Sequence, residues 1–273
     1  MNQQNTNTED TIDLKELFFS LIAQWKLIAL CVILSVVFAL LYLRVTPDTY
    51  SVDALVQVED SKGASAALLG DLSQMIEQKS PALAEIEILK SRLVLGSVIK
   101  ELHLNIQISS TENTLTHRLL SDTEYKTEYT KKSVLFQDDL KSFEVREFEV
   151  PNYYLDKNLL LNFDKQSLRL TDPTTKEVIL TLPLNKVSQV VGPHGRWKIA
   201  IFTKHQLDAT YNITNLSLPA AVNSLSVNYS VAERGKLTGV LGLNYQGQDK
   251  EHITKVLNAI LATYSAQNIE RRS

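Results

Sequence analysis

The chain has 273 residues, with 28 Lys and Arg against 31 Asp and Glu, a formal charge of −3 that leaves no basic footprint for nucleic acid. Its 44% hydrophobic content supports a substantial core, built as one large domain or two smaller ones, and excludes a disordered chain beyond the polar first ten residues. The single cysteine, Cys31, leaves everything after Arg44 without thiols, so that part tolerates an oxidising compartment without demanding one.

The first predicted element is a membrane helix. Leu27 to Leu43 is an uncharged run whose only strongly polar side chain is Ser35, and twelve of its seventeen residues are Leu, Ile, Val or Phe. At roughly 0.3 to 0.6 kcal/mol each, these residues favour insertion by about 5 kcal/mol. Trp25 and Tyr42 suit the two interfaces. The 26 preceding residues are acidic rather than basic, and the run leaves through Leu41, Tyr42, Leu43 and Arg44, so it reads as an uncleaved anchor rather than a signal peptide. An apolar face over Ile12, Leu14, Leu17, Phe18, Leu21 and Ile22 extends the helix back toward Asp13. Charge does not orient it, because Lys15 and Lys26 on one side balance Arg44 and Lys62 on the other.

Pro47 ends this helix, and Tyr50, Val52, Ala54, Val56 and Val58 alternate with more polar positions as a strand. Gly63 to Lys79 has a helical pattern. Ser80-Pro81 then reads as a helix start, followed by Leu83, Ile86, Leu89, Leu93, Ile99 and Leu102 on one side of a helix reaching His103 and Leu104, with Glu85 and Arg92 on its exposed side. Residues 109 to 141 are polar and ambiguous, and Tyr125 and Tyr129 there read as part of a solvated helix face rather than as phosphorylation targets.

From Ser142 the texture becomes β-rich, with candidate strands at 142–150, 158–163, 167–170, 177–182, 196–203, 209–218, 225–231 and 237–245. Asp172-Pro173, Gly192 to Gly195 and Arg234-Gly235 punctuate them. Their spacing predicts eight mostly antiparallel strands within 142–247. From Asp249 the period returns to 3.6 over Ile253, Val256, Leu257, Ile260, Leu261 and Tyr264, and the segment 249–273 shows no C-cap, as expected of a helix that continues in a longer protein. The predicted fold class is therefore α+β: an N-terminal transmembrane helix, a mixed domain over 44–248 with a β-rich part, and a long C-terminal helix.

No catalytic constellation, cofactor site or metal-ligand set emerges. Cys31 lies in the membrane run, and His103, His117, His194, His205 and His252 lack the spacing of ligands. Gly192-Pro193-His194-Gly195 lacks the Lys-Ser/Thr pair of a phosphate loop, and the Arg234 to Gly239 stretch lacks its first Gly and its metal-binding hydroxyl, so both read as turns. The Asn-x-Ser/Thr matches at Asn212, Asn215 and Asn228 carry no weight in an Asn-rich chain.

Three segments carry a family resemblance. Tyr50 to Glu59 leading to Leu72-Ser73-Gln74, then Glu85 to Gly96, resemble the chain-length-determinant (Wzz-type) domain of bacterial polysaccharide copolymerases. Gly235 to Leu241, Leu257-Asn258-Ala259-Ile260 and Tyr264 to Ser273 are similar to the extracytoplasmic part of Wzc-type tyrosine autokinases. The resemblance covers 12–105 and 145–273 and is weak between them. It implies residues 1–26 in the cytoplasm, a transmembrane helix over 27–43, and a periplasmic main domain anchored in the bacterial inner membrane. It also implies a ring-shaped homo-oligomer, octameric in the kinase subgroup, that regulates capsular or exopolysaccharide polymerisation, chain length and export. The implied partners are identical subunits, the lipid bilayer, a polysaccharide polymerase and an outer-membrane export channel. The kinase domain itself has no matching positions in these residues, so no enzymatic role is expected of them. An O-antigen chain-length regulator without kinase, or the sensor domain of a two-pass receptor, share the same plan.

Overall fold

The computed structural model describes residues 18–19, 22–58, 81–112, 114–121, 123, 125–139, 141–235 and 238–272. The chain divides into two compact units, Met1–Pro47 and Asp48–Ser273. The first holds helix α1 (Trp25–Val45), whose 21 residues span about 32 Å, enough for the roughly 30 Å of hydrocarbon. None of its residues is buried, so its apolar side chains face outward all round. Ser35 adds no unmet polar group, because its hydroxyl donates to the carbonyls of Cys31 (2.7 Å) and Val32 (3.1 Å) of the same helix. Upstream, Phe18, Phe19, Ile22 and Ala23 are helical up to a turn at Gln24; Ile12, Leu14, Leu17 and Leu21 lie outside the described residues.

The second unit is α+β and has two cores. The first is a three-stranded antiparallel sheet in the order β1 (Tyr50–Gln57), β13 (Val240–Gly247), β12 (Tyr229–Glu233). Tyr50, Val52, Ala54 and Val56 turn inward from β1, as their alternation predicts. Gly239 sits just before β13 with φ +65°, a conformation few side chains tolerate, and its carbonyl accepts the N–H of Val58 (2.8 Å) while an added Cβ would lie 3.1 Å from Val58 O. The sheet packs with α2 (Pro81–Lys90), α3 (Arg92–Leu102), α5 (Leu218–Val227) and α6 (Lys250–Arg272).

The single helix expected from Ser80 to Leu104 is two. Ser91 ends the first by donating to Ile88 O (2.7 Å) and begins the second by accepting from Val94 N. The break rephases the apolar face, which runs through Ala82, Ile86 and Leu89 and then Val94, Leu95, Val98, Ile99 and Leu102. Leu83 and Leu93, expected inside, are 54% and 62% exposed. The Gly63–Lys79 helix lies outside the described residues.

The second core is a β-sandwich. One five-stranded sheet has the order β3 (Tyr125–Tyr129), β4 (Val134–Asp138), β5 (Lys141–Glu149), β10 (Gly195–Thr203), β9 (Val187–Gly192); the other runs β2 (Ile106–Ser110), β11 (Thr210–Asn215), β6 (Asn158–Phe163), β7 (Ser167–Thr171), β8 (Val178–Pro183). Every pairing is antiparallel. Alternate residues of both sheets meet in one interior that includes Phe136, Phe143, Leu161, Leu170, Trp197, Ile199 and Ile213. Tyr211 is fully enclosed there, with ring centroids 4.9 to 5.8 Å from Phe143, Phe136 and Phe163.

Residues 109–141, ambiguous in sequence, supply the end of β2, the short helix α4 (Leu115–Leu120), β3 and β4. Tyr125 and Tyr129 therefore lie on a strand, not a helix face. The expected strands 209–218 and 225–231 are also corrected: β11 stops at Asn215, and α5 takes Leu218–Val227, because Ser217 accepts from Ala220 N and Pro219 fits its first turn.

Candidate functional site

Helix α6 is where the two cores are joined. Asp249 caps it, accepting from the backbone N–H groups of Glu251 (2.8 Å) and His252 (3.0 Å). Sandwich strand β3 lies against its first turns: Lys126 pairs with Asp249 and Glu251 (3.6 Å each), Lys255 reaches Glu128 (2.7 Å), and the Tyr129 and His252 rings are 4.9 Å apart. Further along, the Tyr264 hydroxyl donates to Glu85 of α2 (2.8 Å), Arg271 pairs with the same carboxylate (3.1 Å), and Gln267 donates to Leu93 O (3.3 Å). Glu85, expected on an exposed face, is instead largely covered beneath α6.

The more exposed pairs of Lys126 and Lys255 contribute about 0–1 kcal/mol each, so they orient the helix more than they hold it. The firmer ties are buried. Asn215 at the end of β11 donates to Phe148 O (2.6 Å) and accepts from Asn105 just after α3 (2.7 Å), while Leu216 N donates to Asn105 O (2.8 Å). Beside this junction is a hollow of about 450 Å³ lined by Leu102, Tyr129, Lys131, Lys255, Ala259 and Ala262.

The electrostatics of the junction follow from partial burial. Burial pushes the Tyr129 hydroxyl up to about 12, assisted by Tyr245, so the phenol stays neutral. Burial also pushes the Asp249 carboxyl up, but the N–H groups of His252 and Glu251 and the Lys126 ammonium outweigh it and hold the group below its usual range. Burial lowers the pKa of His252; Lys255 adds to the effect, and Asp249 opposes it. A histidine whose folded pKa lies below 6.5 contributes full stability above that pH and loses it as the pH falls through 6.5 toward the folded value. Thermal melts at pH 7.5, 6.5 and 5.5 are expected to decline in this window, and His252→Gln is expected to flatten the decline while leaving the pH 7.5 midpoint nearly unchanged.

The other residues singled out by sequence stay apart. His194 and His205 stand at opposite ends of the nine-residue β10, roughly 30 Å long, so they share no ion. His194 stacks on Tyr153 (3.8 Å), within the turn that joins β9 to β10. His103 ends α3 in the left-handed region and lies 3.3 Å from Lys131 O, and His117 lies on α4. Among the described residues no group of three His, Cys, Asp or Glu is placed to hold a metal. Cys31 lies in α1, exposed. Asn212 and Asn215 lie in β11 and Asn228 caps α5. The junction itself was not apparent in sequence: Lys126 and Tyr129 fall in the ambiguous stretch, and the five-residue β-run Tyr125–Tyr129 signals only the strand that carries them, not what it packs against.

The amino-acid sequence has known relatives. Residues 10–102 match the family model of the chain length determinant protein, Wzz. The chain carries a Wzz domain. Over 270 residues, 99% of its length, it is 66% identical to "Tyrosine-protein kinase ptk" of Acinetobacter johnsonii, of which this covers 37%. It is 31% identical to "Putative tyrosine-protein kinase AmsA" of Erwinia amylovora over 92% of its length and 32% of the relative. To "Tyrosine-protein kinase wzc" of Salmonella typhimurium it is 29% identical over 97% of its length and 34% of the relative. The chain thus spans about a third of the curated relatives it matches, and the Wzz domain falls within that shared third. The domain includes α1, β1, α2 and α3; the sandwich lies beyond it.

Proposed function

We propose that this Wzz protein is the membrane-anchored part of a polysaccharide copolymerase, which assembles as a homo-oligomeric ring and regulates the length and export of a capsular or exopolysaccharide. The observation that carries this reading is the Wzz match over residues 10–102, which includes the outward-facing helix α1. The residues before α1 face the cytoplasm and the unit from Asp48 occupies the periplasm. The parent protein adds an ATP-dependent tyrosine autokinase domain, as the names of the relatives suggest; that observation favours a kinase-bearing parent over an O-antigen regulator or a receptor. The near-neutral surface suits packing of identical copies with little mutual repulsion.

Deleting the gene and sizing the surface polymer by gel electrophoresis tests this reading. The expected outcome is a changed modal length and less exported polymer, restored by the wild-type gene. An unchanged length distribution would sink it. Alkaline phosphatase fused after β1 is expected to be active, and an inactive fusion beside an active one placed before α1 would reverse the orientation.

A further inference from the structure

We propose that the outer face of the β2–β11–β6 sheet binds an uncharged, hydroxyl-rich saccharide chain, an inference that rests on the polysaccharide reading above and gives it a location. The two outer faces of the sandwich differ in chemistry. The face of the β3–β4–β5–β10–β9 sheet carries Lys126, Glu128, Glu144, Arg146, Glu147 and Lys198, tied into ion pairs, as a solvated surface does. The opposite face has no charge across three strands. Register places Thr214 between Gln107 and Asn158, and Asn212 between Ser109 and Leu160. Thr210 lies beside Asn162 in the next row.

Gln107, Ser109, Asn158, Asn212 and Thr214 line a hollow of about 440 Å³, with Ile108 and Tyr129 at its border. Strands about 4.8 Å apart, with same-face residues about 6.7 Å apart along each strand, make a lattice of polar groups on the scale of a single sugar ring. Amides and hydroxyls donate and accept at once, as sugar hydroxyls do. Asn158 donates to Asn212 Oδ1 (2.7 Å), which leaves Asn158 Oδ1 as an acceptor and Asn212 Nδ2 as a donor with no partner among the described residues. One free acceptor beside one free donor remains if both amides are flipped, and this is the pattern a pair of adjacent hydroxyls complements. A protein partner fits less well. Interface centres are rich in aromatic residues, Met and Arg, whereas these rows offer one aliphatic anchor, the half-buried Leu160.

The test uses the full chain in detergent micelles. The probes are oligosaccharide fragments of the surface polymer of the strain carrying the gene, separated by anion exchange into uncharged and acidic pools. The uncharged pool is expected to perturb the Asn158 and Asn212 side-chain amide signals in NMR spectra, with an affinity that changes less than about twofold between low and high salt, since no ion pair is involved. Asn158→Ala with Asn212→Ala is expected to weaken binding roughly tenfold, the effect of losing one or two net hydrogen bonds. Gln137→Lys on the opposite sheet serves as a control, and unchanged melting midpoints establish that the variants fold. Binding by neither pool, binding confined to the acidic pool, or a double variant that dissolves the oligomer yet still binds saccharide would each overturn the proposal. In cells, a polymer length that changes on gene deletion but not in the double variant sinks this site alone. A length unchanged by deletion sinks the functional reading beneath it.

Discussion

Removing residues 1–47 is expected to turn a protein that requires detergent into one that partitions into water and melts cooperatively. The apolar run of α1 favours the bilayer by about 5 kcal/mol, which is several thousandfold in partition. None of its side chains is buried, and Asp48–Ser273 forms a compact unit by itself. That unit has two cores of its own, with Val94, Leu95 and Val98 fully enclosed in one and Leu161, Leu170 and Ile201 in the other. Detergent phase partitioning and analytical ultracentrifugation check the result, and the truncated chain is expected to sediment as a smaller species than the anchored one. A truncated protein that still pellets with membranes, or that assembles rings as stable as those of the full chain, would show that assembly does not depend on the anchor.

Tyr211→Ala is expected to be among the most damaging single changes in the sandwich. The side chain is completely enclosed, its ring touches three Phe rings, and its hydroxyl donates to Asp138 on the facing sheet (2.8 Å), so one residue stitches the two sheets together. Truncating a buried aromatic costs about 3–5 kcal/mol, which for a domain of this size lowers the melting midpoint by roughly 10 °C. Tyr211→Phe keeps the packing and is expected to lose about 1.5–3 kcal/mol, the contribution of a hydrogen bond to a charged acceptor. Limited proteolysis of the Ala variant is expected to cut first within the sandwich. Preferential cutting in α3 or α6 would show that the helix-backed core depends on the sandwich more than its separate interior suggests.

The parts of this fold legible in sequence are those where local pattern and tertiary burial agree. β1 alternates and buries alternate residues, and the helix from Asp249 keeps its 3.6 period because Ile253, Val256, Leu257, Ile260 and Tyr264 all face one core. The break at Ser91 was hidden because apolar residues continue through it, with only a serine hydroxyl to mark the new start. Helix α5 was read as strand ends, since Leu225, Val227 and Val231 suit a strand; Ser217 and Pro219 held the same start signal as Ser80-Pro81 and were outweighed. Strand β9 was missed although its turn to β10 was placed correctly, and β2 was missed because it falls between the expected helix end at Leu104 and the polar stretch from 109. The α6 junction was illegible for a different reason. Lys126 and Lys255 meet their partners only because the tertiary fold sets β3 against the first turns of α6, and no local pattern encodes that proximity.

The pairing of Tyr50 with Gly247 fixes an order of events during synthesis. β1 leaves the ribosome just after the anchor but cannot find its partner until nearly 200 further residues have been made, about 10–40 s at typical elongation rates. Within that interval the sandwich has every strand it needs, because all ten lie between β1 and β13. The sandwich can therefore close first, shortening the loop that separates the two waiting segments, while β1 keeps an unpaired edge. Chaperones that shield exposed strands should then engage nascent chains longest between the emergence of residue 57 and that of residue 247.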